Sequence, residues 1–342
     1  MAAASPVPTL AALGLTLQPG DVLKQCYEAW AYLKTGKGEF AKLVVAPNPA
    51  DIAKNPDYAA KMQDLGTERL GWKQSALIGM NDEYSLAKVI GANNLNRQMD
   101  LPRSVSTNTL SDKFTMQPLF IVDGTDISAA RTGANAAKVV DHFLSDKSDI
   151  WVFIHGSGPV ARWCIRILNH HAADRIRGIA VRSPRNAGKL VDELSGEVSI
   201  PLRVADDNSL MKHSQLIITA TTSDVPLYTL DDLPADPVVL HLSGDEAPKA
   251  FIDLAVAEGS VFCDSIKEVS RRNSQSLALA FSRSGQKLED AGRRLGVREL
   301  AELDGPVVRK PGKPVLVTCV GLGIFDLFVT QSVYGKYVAT KK

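Results

Sequence analysis

Several signals that would mark other classes of protein are absent or weak in this chain of 342 residues. The four cysteines lie far apart and form no Cys-x-x-Cys pair, which argues against a zinc site and a disulfide framework. No basic run is present, so the electrostatic footprint of a nucleic-acid-binding protein is missing. The most apolar late stretch, residues 315–329, is too short to span a bilayer and is interrupted by polar residues and glycines. We therefore predict no metal site, no nucleic-acid partner and no membrane partner.

The N-terminal residues also lack the basic region of a secretory signal, because no Lys or Arg precedes Lys24. A cytoplasmic location is the prediction that follows. What the chain does contain is 45% apolar residues and an almost balanced charge, with 39 Lys and Arg against 38 Asp and Glu. That composition is enough to bury one large core or two smaller ones, and the length favours two domains.

The most informative segment covers residues 150–161, where an apolar run ends at Gly156-Ser157-Gly158 and a helical pattern starts at Pro159 and Val160. Glycines at such a point let the chain turn tightly and bring backbone N–H groups against a pyrophosphate at a helix N-terminus. The string alone is a weak signal, since glycines also cluster at ordinary turns. However, residues 144–264 alternate short apolar runs with helical patterns, which is typical of a doubly wound parallel sheet. The segment therefore predicts a dinucleotide site.

The residues after the second apolar run of this region indicate which dinucleotide is bound. They are Arg182, Ser183 and Arg185, at a place where NAD-binding folds usually carry an acidic residue for the ribose hydroxyls. Two guanidinium groups and a hydroxyl suit a 2′-phosphate better than a free diol, so the chemistry favours NADP(H) over NAD(H). The alternative is that both arginines are ordinary solvated charges. A later stretch, Thr221-Thr222-Ser223, is either a cofactor contact or a plain turn.

The rest of the chain has a different pattern, with strand-like residues at 40–45, 84–90 and 119–122. Helices are predicted over residues 19–34, 58–65, 126–144 and 284–301. The apolar segment 315–338 does not continue the alternation of strands and helices, so it is expected to return to the first domain. We predict an α/β fold: a Rossmann-type doubly wound parallel sheet over residues 129–311, and a discontinuous α+β domain made of residues 1–128 and 312–342.

Five short motifs connect these regions to a known family. In chain order they are Arg131-Thr132-Gly133-Ala134, Gly156-Ser157-Gly158-x-x-Ala161, Thr219-Ala220-Thr221-Thr222-Ser223, Gly244-Asp245-x-x-Pro248-Lys249 and Gly321-Leu322-Gly323-x-x-Asp326. Together they resemble the ornithine cyclodeaminase and mu-crystallin family over nearly the whole chain after Tyr84. The resemblance implies a homodimer whose discontinuous domain carries substrate binding and the dimer contacts, while the middle of the chain holds a nicotinamide cofactor.

The resemblance also implies roles for individual residues. Lys88, inside an apolar strand pattern, is similar to the substrate lysine of the family, and Arg131 to the arginine that clamps the substrate carboxylate. A buried ammonium needs a partner or a task; the alternatives are a lysine that reaches solvent from an edge strand and a salt-bridge role for Arg131. Asp245 resembles the aspartate that acts as acid or base at the substrate nitrogen, although Gly-Asp is also a common turn. Taken with the residues inferred above from their own chemistry, the predicted cofactor contacts are Arg131, Thr132, Gly156, Ser157, Gly158, Pro159, Val160, Arg182, Ser183, Arg185, Thr221, Thr222, Ser223, Lys249 and Gly321.

Two positions bear on the substrate. Where the family usually has an arginine in the early strand that helps to hold the carboxylate, this chain has Lys42, which supplies charge without a bidentate fork. His241, at the end of an apolar run, either donates to the substrate or simply fills the strand, and the second interpretation is the more ordinary one.

The leading interpretation is an NAD(P)-dependent oxidoreductase that transfers hydride between nicotinamide and the α-carbon of a small amino or imino acid. Lys88 and Asp245 are its predicted catalytic residues, and Lys42, Lys88 and Arg131 its predicted substrate-binding residues. One alternative is an ornithine or lysine cyclodeaminase, which releases ammonia and recycles its nicotinamide internally. Another is a nucleotide-binding protein without turnover, and the retention of Lys88, Arg131 and Asp245 counts against it.

Overall fold

The computed structural model describes residues 7–66 and 68–341. The strands are β1 (Glu39–Val45), β2 (Lys73–Met80), β3 (Tyr84–Ala92), β4 (Ser104–Asp112), β5 (Pro118–Asp123), β6 (Ile150–His155), β7 (Ile176–Arg182), β8 (Leu202–Val204), β9 (Leu216–Thr219), β10 (Val238–His241), β11 (Ser260–Cys263), β12 (Arg298–Glu299) and β13 (Val315–Thr318). The α-helices are α1 (Pro19–Lys34), α2 (Pro56–Ala59), α3 (Thr125–Gly133), α4 (Asn135–Phe143), α5 (Pro159–Ala172), α6 (Ala187–Ser195), α7 (Lys249–Ala257), α8 (Ile266–Arg272), α9 (Ser276–Arg283), α10 (Leu288–Ala291) and α11 (Gly323–Ala339). Short 3-10 helices cover Ala11–Leu13, Pro49–Lys54, Met62–Leu65, Asn94–Met99, Ser209–His213, Leu230–Asp232, Arg293–Leu295 and Leu300–Glu302.

The chain divides into two compact units, Met1–Arg131 with Leu322–Lys342, and Thr132–Gly321. The first unit is built on an antiparallel sheet in the strand order β1-β2-β3-β4-β5, so each strand pairs with its neighbour in sequence. Side chains alternate between a buried and a more exposed face along these strands, as the two-residue period of a strand requires. Helices α1 and α11 pack against each other, and α11 packs on the buried face of the sheet. The C-terminal helix therefore closes the core of the unit that the N-terminal part of the chain begins.

Helix α11 approaches the sheet closely because glycines form the contact. A Cβ atom on Gly79 of β2 would lie 2.7 Å from the backbone of Gly323, and a Cβ atom on Gly323 would lie 2.5 Å from the carbonyl oxygen of Ile78. Both neighbours are backbone atoms, so neither site accommodates a side chain without a shift of the helix. This contact sets the position of the first turn of α11, which contains Asp326.

The second unit is an eight-stranded sheet in the order β12-β11-β13-β10-β9-β6-β7-β8, and its neighbouring strands run parallel. The chain builds β6, β7 and β8 outward in one direction and then crosses back to place β9 on the other side of β6. Strands β6 and β9 therefore flank the switch point of a doubly wound sheet, where such folds bind ligands beyond the carboxyl ends of the strands. The predicted fold class, a Rossmann-type parallel sheet with an α+β unit, is confirmed.

Several element boundaries differ from the sequence predictions. The helix predicted over residues 126–144 is two helices, α3 and α4, with Gly133 at the end of the first. A Cβ atom on Gly133 would lie 2.7 Å from the backbone of Trp163 in α5, so this glycine permits close packing of the chain on α5. Residues 58–65 form only single turns. Residues 284–301 are not one helix either, because Gly296 adopts a positive φ of 82° and the two-residue strand β12 follows.

The last apolar segment also differs from the prediction. Strand β13 lies between β10 and β11 in the parallel sheet, and its four residues are all buried. It therefore belongs to the second unit, because an apolar run that is covered on both faces suits a central parallel strand. The return to the first unit begins at Leu322 and not at residue 312, and the earlier boundary falls after Arg131 and not after residue 128.

No helix within residues 7–66 and 68–341 is both long and apolar enough to cross a bilayer. All four cysteines lie in the described part of the chain, where each is buried and none forms a disulfide.

The two glycines of α11 give a matched test of the packing between helix and sheet. We expect Gly323→Ala to lower the free energy of unfolding by about 1–3 kcal/mol, because its methyl group meets backbone atoms of β2. Gly335→Ala places a methyl group in open space in the same helix, so it should be neutral or stabilise the protein by up to about 1 kcal/mol. Denaturant unfolding of both variants measures the difference, and equal stability would contradict the close approach.

Candidate functional site

A buried cluster of charged side chains lies in the first unit, around Lys88 of β3. The Lys88 side chain is only 1% exposed, and its Nζ donates hydrogen bonds to Asp326 Oδ1 at 2.8 Å and to Ser128 Oγ at 2.5 Å. Asp326 comes from α11 and is fully buried, while Ser128 comes from α3. The sheet and two helices therefore position a single ammonium group.

The same carboxylate also faces Arg131, at the end of α3. Arg131 Nε lies 3.2 Å from Asp326 Oδ2, close enough for an ion pair but not aligned for a good hydrogen bond. Arg131 is 7% exposed. The cluster thus holds two cations against one carboxylate, and the excess positive charge is buried, where charge is costly unless it is compensated. An anionic ligand group would supply that compensation.

The pKa values of the cluster follow from this arrangement. Burial lowers the pKa of Lys88 to about 8, with Arg131 acting in the same direction and Asp326 opposing it. Burial acts to raise the pKa of Asp326, but Arg131 and Lys88 together outweigh it and leave that pKa below its ordinary value. Near neutral pH, Asp326 is therefore a carboxylate and Lys88 is mostly an ammonium.

Lys42 shares a cross-strand row with Lys88. Lys42 of β1 pairs with Leu77 of β2, which in turn pairs with Lys88, so the three side chains lie on one face of the sheet. Two strand spacings separate the Cα atoms of the two lysines by about 10 Å. The next residue in the row, Asn108 of β4, donates a hydrogen bond of 2.8 Å to Thr330 Oγ1 of α11. The structure therefore brings Lys88 and Arg131 together directly and places Lys42, half-buried, on the same face.

In the second unit, the predicted glycine turn joins β6 to α5. Gly156 has a φ of +116°, and a Cβ atom there would lie 2.5 Å from the carbonyl oxygen of Ala220, so a side chain is excluded by both backbone conformation and space. Gly158 is the N-cap of α5 and makes no side-chain cap, and a Cβ atom on it would meet nothing within 4 Å. The first-turn N–H groups of a helix lack partners within the helix. An uncapped helix start next to a glycine turn fits the diphosphate of a dinucleotide.

The residues after β7 are held in defined positions. Ser157 Oγ donates to Ser183 Oγ at 2.9 Å, which links the loops that follow β6 and β7. Arg182 Nη1 donates to Asn208 Oδ1 at 2.7 Å, and the Asn208 amide donates in turn to the Leu227 carbonyl at 3.0 Å. Arg185 is exposed in the loop that follows. The structure thus presents Arg182 and Ser183 beside the glycine turn, with Arg185 further out.

The turn after β9 is held by a buried carboxylate that the sequence analysis missed, Glu246, which follows β10. Glu246 Oε1 accepts hydrogen bonds from the backbone N–H of Thr221, at 2.9 Å, and from its hydroxyl. The Glu246 side chain is fully buried, and its Oε2 lies 3.9 Å from His241 Nε2. Ser223 N donates to Thr221 Oγ1 at 3.0 Å, and Thr222 lies between them. Glu246 therefore orders the hydroxyl-rich turn that the sequence indicated.

His241 is buried at the end of β10. Its Nδ1 lies 3.4 Å from Thr318 Oγ1, its cross-strand neighbour in β13. These contacts agree with the interpretation in which the imidazole fills the strand. His155, at the end of β6, is also buried, and burial together with Arg182 lowers its pKa to about 3, so its imidazole is neutral at physiological pH.

Two predicted functional residues after β10 have partners near the surface. Asp245 Oδ2 accepts a hydrogen bond of 2.5 Å from Arg283 Nη2, with the Asp245 side chain 15% exposed and that of Arg283 57% exposed. Lys249 begins α7 and pairs with Asp253 of the same helix at 2.6 Å. Asp245 thus sits at the carboxyl end of β10, as predicted from its position after that strand, whereas Lys249 points along its own helix.

The loop after β13 is fixed by a buried aspartate. Asp264 Oδ2 accepts from Gly321 N at 2.7 Å and Asp264 Oδ1 accepts from Val320 N at 3.1 Å. Gly321 has a φ of +77°, a conformation that favours glycine. The glycine of the last motif is therefore at a carboxyl strand end of the second unit.

A parallel doubly wound sheet with a glycine turn at its switch point defines a dinucleotide-binding protein of the Rossmann type, here joined to a unit with a buried cation pair. A sequence profile of the ornithine cyclodeaminase/mu-crystallin family matches residues 50–340. The chain belongs to that family, as the five motifs predicted.

Individual relatives are distant in sequence. The Delta(1)-pyrroline-2-carboxylate reductase of Colwellia psychrerythraea is 23% identical over 246 residues, which cover 70% of this chain and 76% of the relative. The solved structure of the Thermococcus litoralis Delta(1)-pyrroline-2-carboxylate reductase, in complex with NADH and L-proline, is 20% identical, with a TM-score of 0.80 over 98% of each chain. An archaeal alanine dehydrogenase dimer with bound NAD is 15% identical, with a TM-score of 0.75 over 98% of this chain and 96% of that one.

The open space at Gly158 gives a direct test of the dinucleotide site. We expect Gly158→Ala to leave the stability of the cofactor-free protein nearly unchanged, since the methyl group contacts nothing within 4 Å. The same methyl group would stand where the diphosphate approaches, so the affinity for the cofactor should fall by about tenfold or more. Gly188→Ala, at an open position in α6, is the control. Nicotinamide fluorescence titration measures the cofactor affinity of both variants. An unchanged affinity in Gly158→Ala would exclude this turn as the phosphate site.

Proposed function

We propose that this protein is an NAD(P)-dependent oxidoreductase that interconverts a small α-amino or cyclic imino acid with its imine or keto form. The observation that carries the proposal is the buried excess of positive charge at Lys88 and Arg131, which an α-carboxylate would neutralise. Membership of the family supports a nicotinamide cofactor, and the glycine turn between β6 and α5 fits its diphosphate.

The roles of the individual residues follow from their chemistry. Arg131 offers a planar set of donors that matches a carboxylate, and Lys88 adds a second charge, with Lys42 on the same face of the sheet. Asp245 exchanges a proton at the substrate nitrogen. When bound, the nicotinamide supplies or accepts the hydride at the substrate α-carbon. Near neutral pH, Lys88 binds as an ammonium because its pKa of about 8 is above that value.

A substrate screen tests this function. The purified protein would be incubated with NADPH or NADH and a panel of cyclic imines such as Delta(1)-pyrroline-2-carboxylate, and with α-keto acids plus amines. We expect oxidation of the reduced nicotinamide with at least one imino acid. Ammonia release from ornithine or lysine without a net change in nicotinamide absorbance would instead identify a cyclodeaminase, the alternative that the Gly244-Asp245 motif leaves open. No turnover with any of these compounds would favour a binding protein.

Asp245→Asn tests the proposed proton exchange. We expect turnover to fall by orders of magnitude while the affinity for the cofactor barely changes, because the amide keeps the shape of the side chain but cannot exchange the proton. Asp192→Asn, which removes an exposed carboxylate of α6, serves as the control. Steady-state kinetics and cofactor titration measure the two effects, and equal turnover in Asp245→Asn would remove this residue from the mechanism.

We also propose a preference for NADP(H) over NAD(H). Arg182 is oriented by Asn208 at the end of β7, beside Ser183, and a guanidinium group held in place loses less entropy when it binds a phosphate. Arg185 adds a second positive charge in the following loop.

Replacing both arginines tests this preference. Arg182→Ala with Arg185→Ala should weaken NADPH binding much more than NADH binding, since only NADPH carries the 2′-phosphate. Arg177→Ala, which removes a surface arginine of β7 that is paired with Asp149, is the control. Cofactor titrations measure the effects, and equal weakening of the two cofactors would refute the phosphate assignment.

We propose that the protein forms a homodimer through the exposed face of the five-stranded sheet, opposite Lys88. That face carries apolar side chains from every strand, with Leu43 63% and Val45 60% exposed in β1, and with Ile78, Val89, Val105, Leu119 and Ile121 further across it. An apolar patch of this extent on a sheet face is typical of an interaction surface. Analytical ultracentrifugation that shows only monomers would exclude this homodimer. A cytoplasmic location stays a prediction from the sequence.

A further inference from the structure

We infer that Asp326 is a positioning residue that holds Lys88 and Arg131 in place as the carboxylate-binding pair. The inference rests on the proposed function and adds a residue to it. Asp326 is fully buried, lies 2.8 Å from the Lys88 ammonium and 3.2 Å from Arg131 Nε, and comes from a helix at the other end of the chain. It is the carboxylate that touches both cations.

The geometry separates the roles of the two oxygens. Oδ1 accepts a well-formed hydrogen bond from Lys88, whereas Oδ2 is an ion-pair partner of Arg131 without good alignment. Arg131 Nε is therefore held near Oδ2 by charge more than by a well-directed hydrogen bond. Lys88 is fixed more tightly, because Ser128 Oγ supplies a second acceptor at 2.5 Å.

Charge balance explains why a permanent carboxylate is needed. Two buried cations without a counter-ion would repel each other, and the lysine would lose its proton first, because burial disfavours an ammonium and a guanidinium does not deprotonate in proteins. Asp326 removes one of the two charges and leaves one for the ligand. The net charge of the three groups is therefore +1 near neutral pH, which suits one ligand carboxylate.

The groups that surround Lys88 leave Asp326 as the main source of stabilisation for its charge. Its neighbours across the sheet, Leu77 and Asn108, are uncharged. The thiol of Cys26 in α1 lies 3.9 Å from the carbonyl oxygen of Arg131, and burial raises its pKa to about 12, so it stays neutral. Arg131 opposes the ammonium, and Lys42 lies two strands away in the same row.

The test follows the titration of Lys88 itself, so its outcome does not depend on turnover. Lysine labelled with ¹³C at Cε would be incorporated into the full chain, and the Lys88 signal would be assigned with Lys88→Arg. In the wild type we expect the ammonium to persist to about pH 8. In Asp326→Asn it should lose its proton at lower pH, by about one unit or more. Asp21→Asn, which breaks the surface ion pair of Lys336 in the same helix α11, should leave the titration unchanged.

Two results would overturn the inference. One is an Asp326→Asn protein that folds but whose Lys88 titrates as in the wild type, which is what a merely structural aspartate would give. The other, which requires no variant to fold, is a wild-type Lys88 that is already deprotonated at about pH 7. With a substrate from the screen, KM in Asp326→Asn should increase by a larger factor than kcat decreases. As the pH is raised, the increase in KM should also begin at a lower pH than in the wild type. If the screen finds no substrate, the proposed function fails, but the titration of Lys88 still decides whether Asp326 stabilises its charge.

Discussion

The first unit depends on one buried carboxylate held between two cations. Burying Asp326, Lys88 or Arg131 alone would be strongly unfavourable, so each of them requires the others. Their meeting relies on backbone packing, since the glycine contact between β2 and α11 sets how close the first turn of the helix comes to the sheet. The resulting excess of positive charge is the feature on which the proposed binding of a substrate carboxylate rests.

The second unit follows a different principle, in which topology and not charge assembles the site. Parallel strands place their carboxyl ends along one edge, and the reversal of strand order between β6 and β9 leaves a crevice there. The glycine turn after β6 and the hydroxyl-rich turn after β9 meet at that point, where Ala220 N donates to the carbonyl oxygen of His155 at 2.9 Å. Glu246 accepts a hydrogen bond from the backbone N–H of Thr221 and so orders the second turn.

Much of this architecture was predictable from the sequence, and the omissions have physical causes. The strands of the parallel sheet are short apolar runs between helical patterns, and a covered sheet requires that pattern. Strands β2 and β4 have no counterpart in the sequence analysis. In β4 (SVSTNTLSD) the signal is weak because most residues are small and polar and only two are apolar. The roles of Lys88 and Arg131 were indicated by resemblance. That Asp326 would be their partner was not, because it lies 238 residues after Lys88 and only the tertiary fold brings the two together.

A crystal structure of the protein with its coenzyme and a small α-carboxylate ligand would show the binding of both groups. We expect the coenzyme diphosphate to lie against the backbone N–H groups at the start of α5, next to Gly158. We expect the ligand carboxylate to lie within hydrogen-bonding distance of Arg131 and Lys88, with Asp326 still in contact with Lys88. A diphosphate bound elsewhere, or a ligand carboxylate remote from both cations, would contradict the proposed binding of substrate and coenzyme.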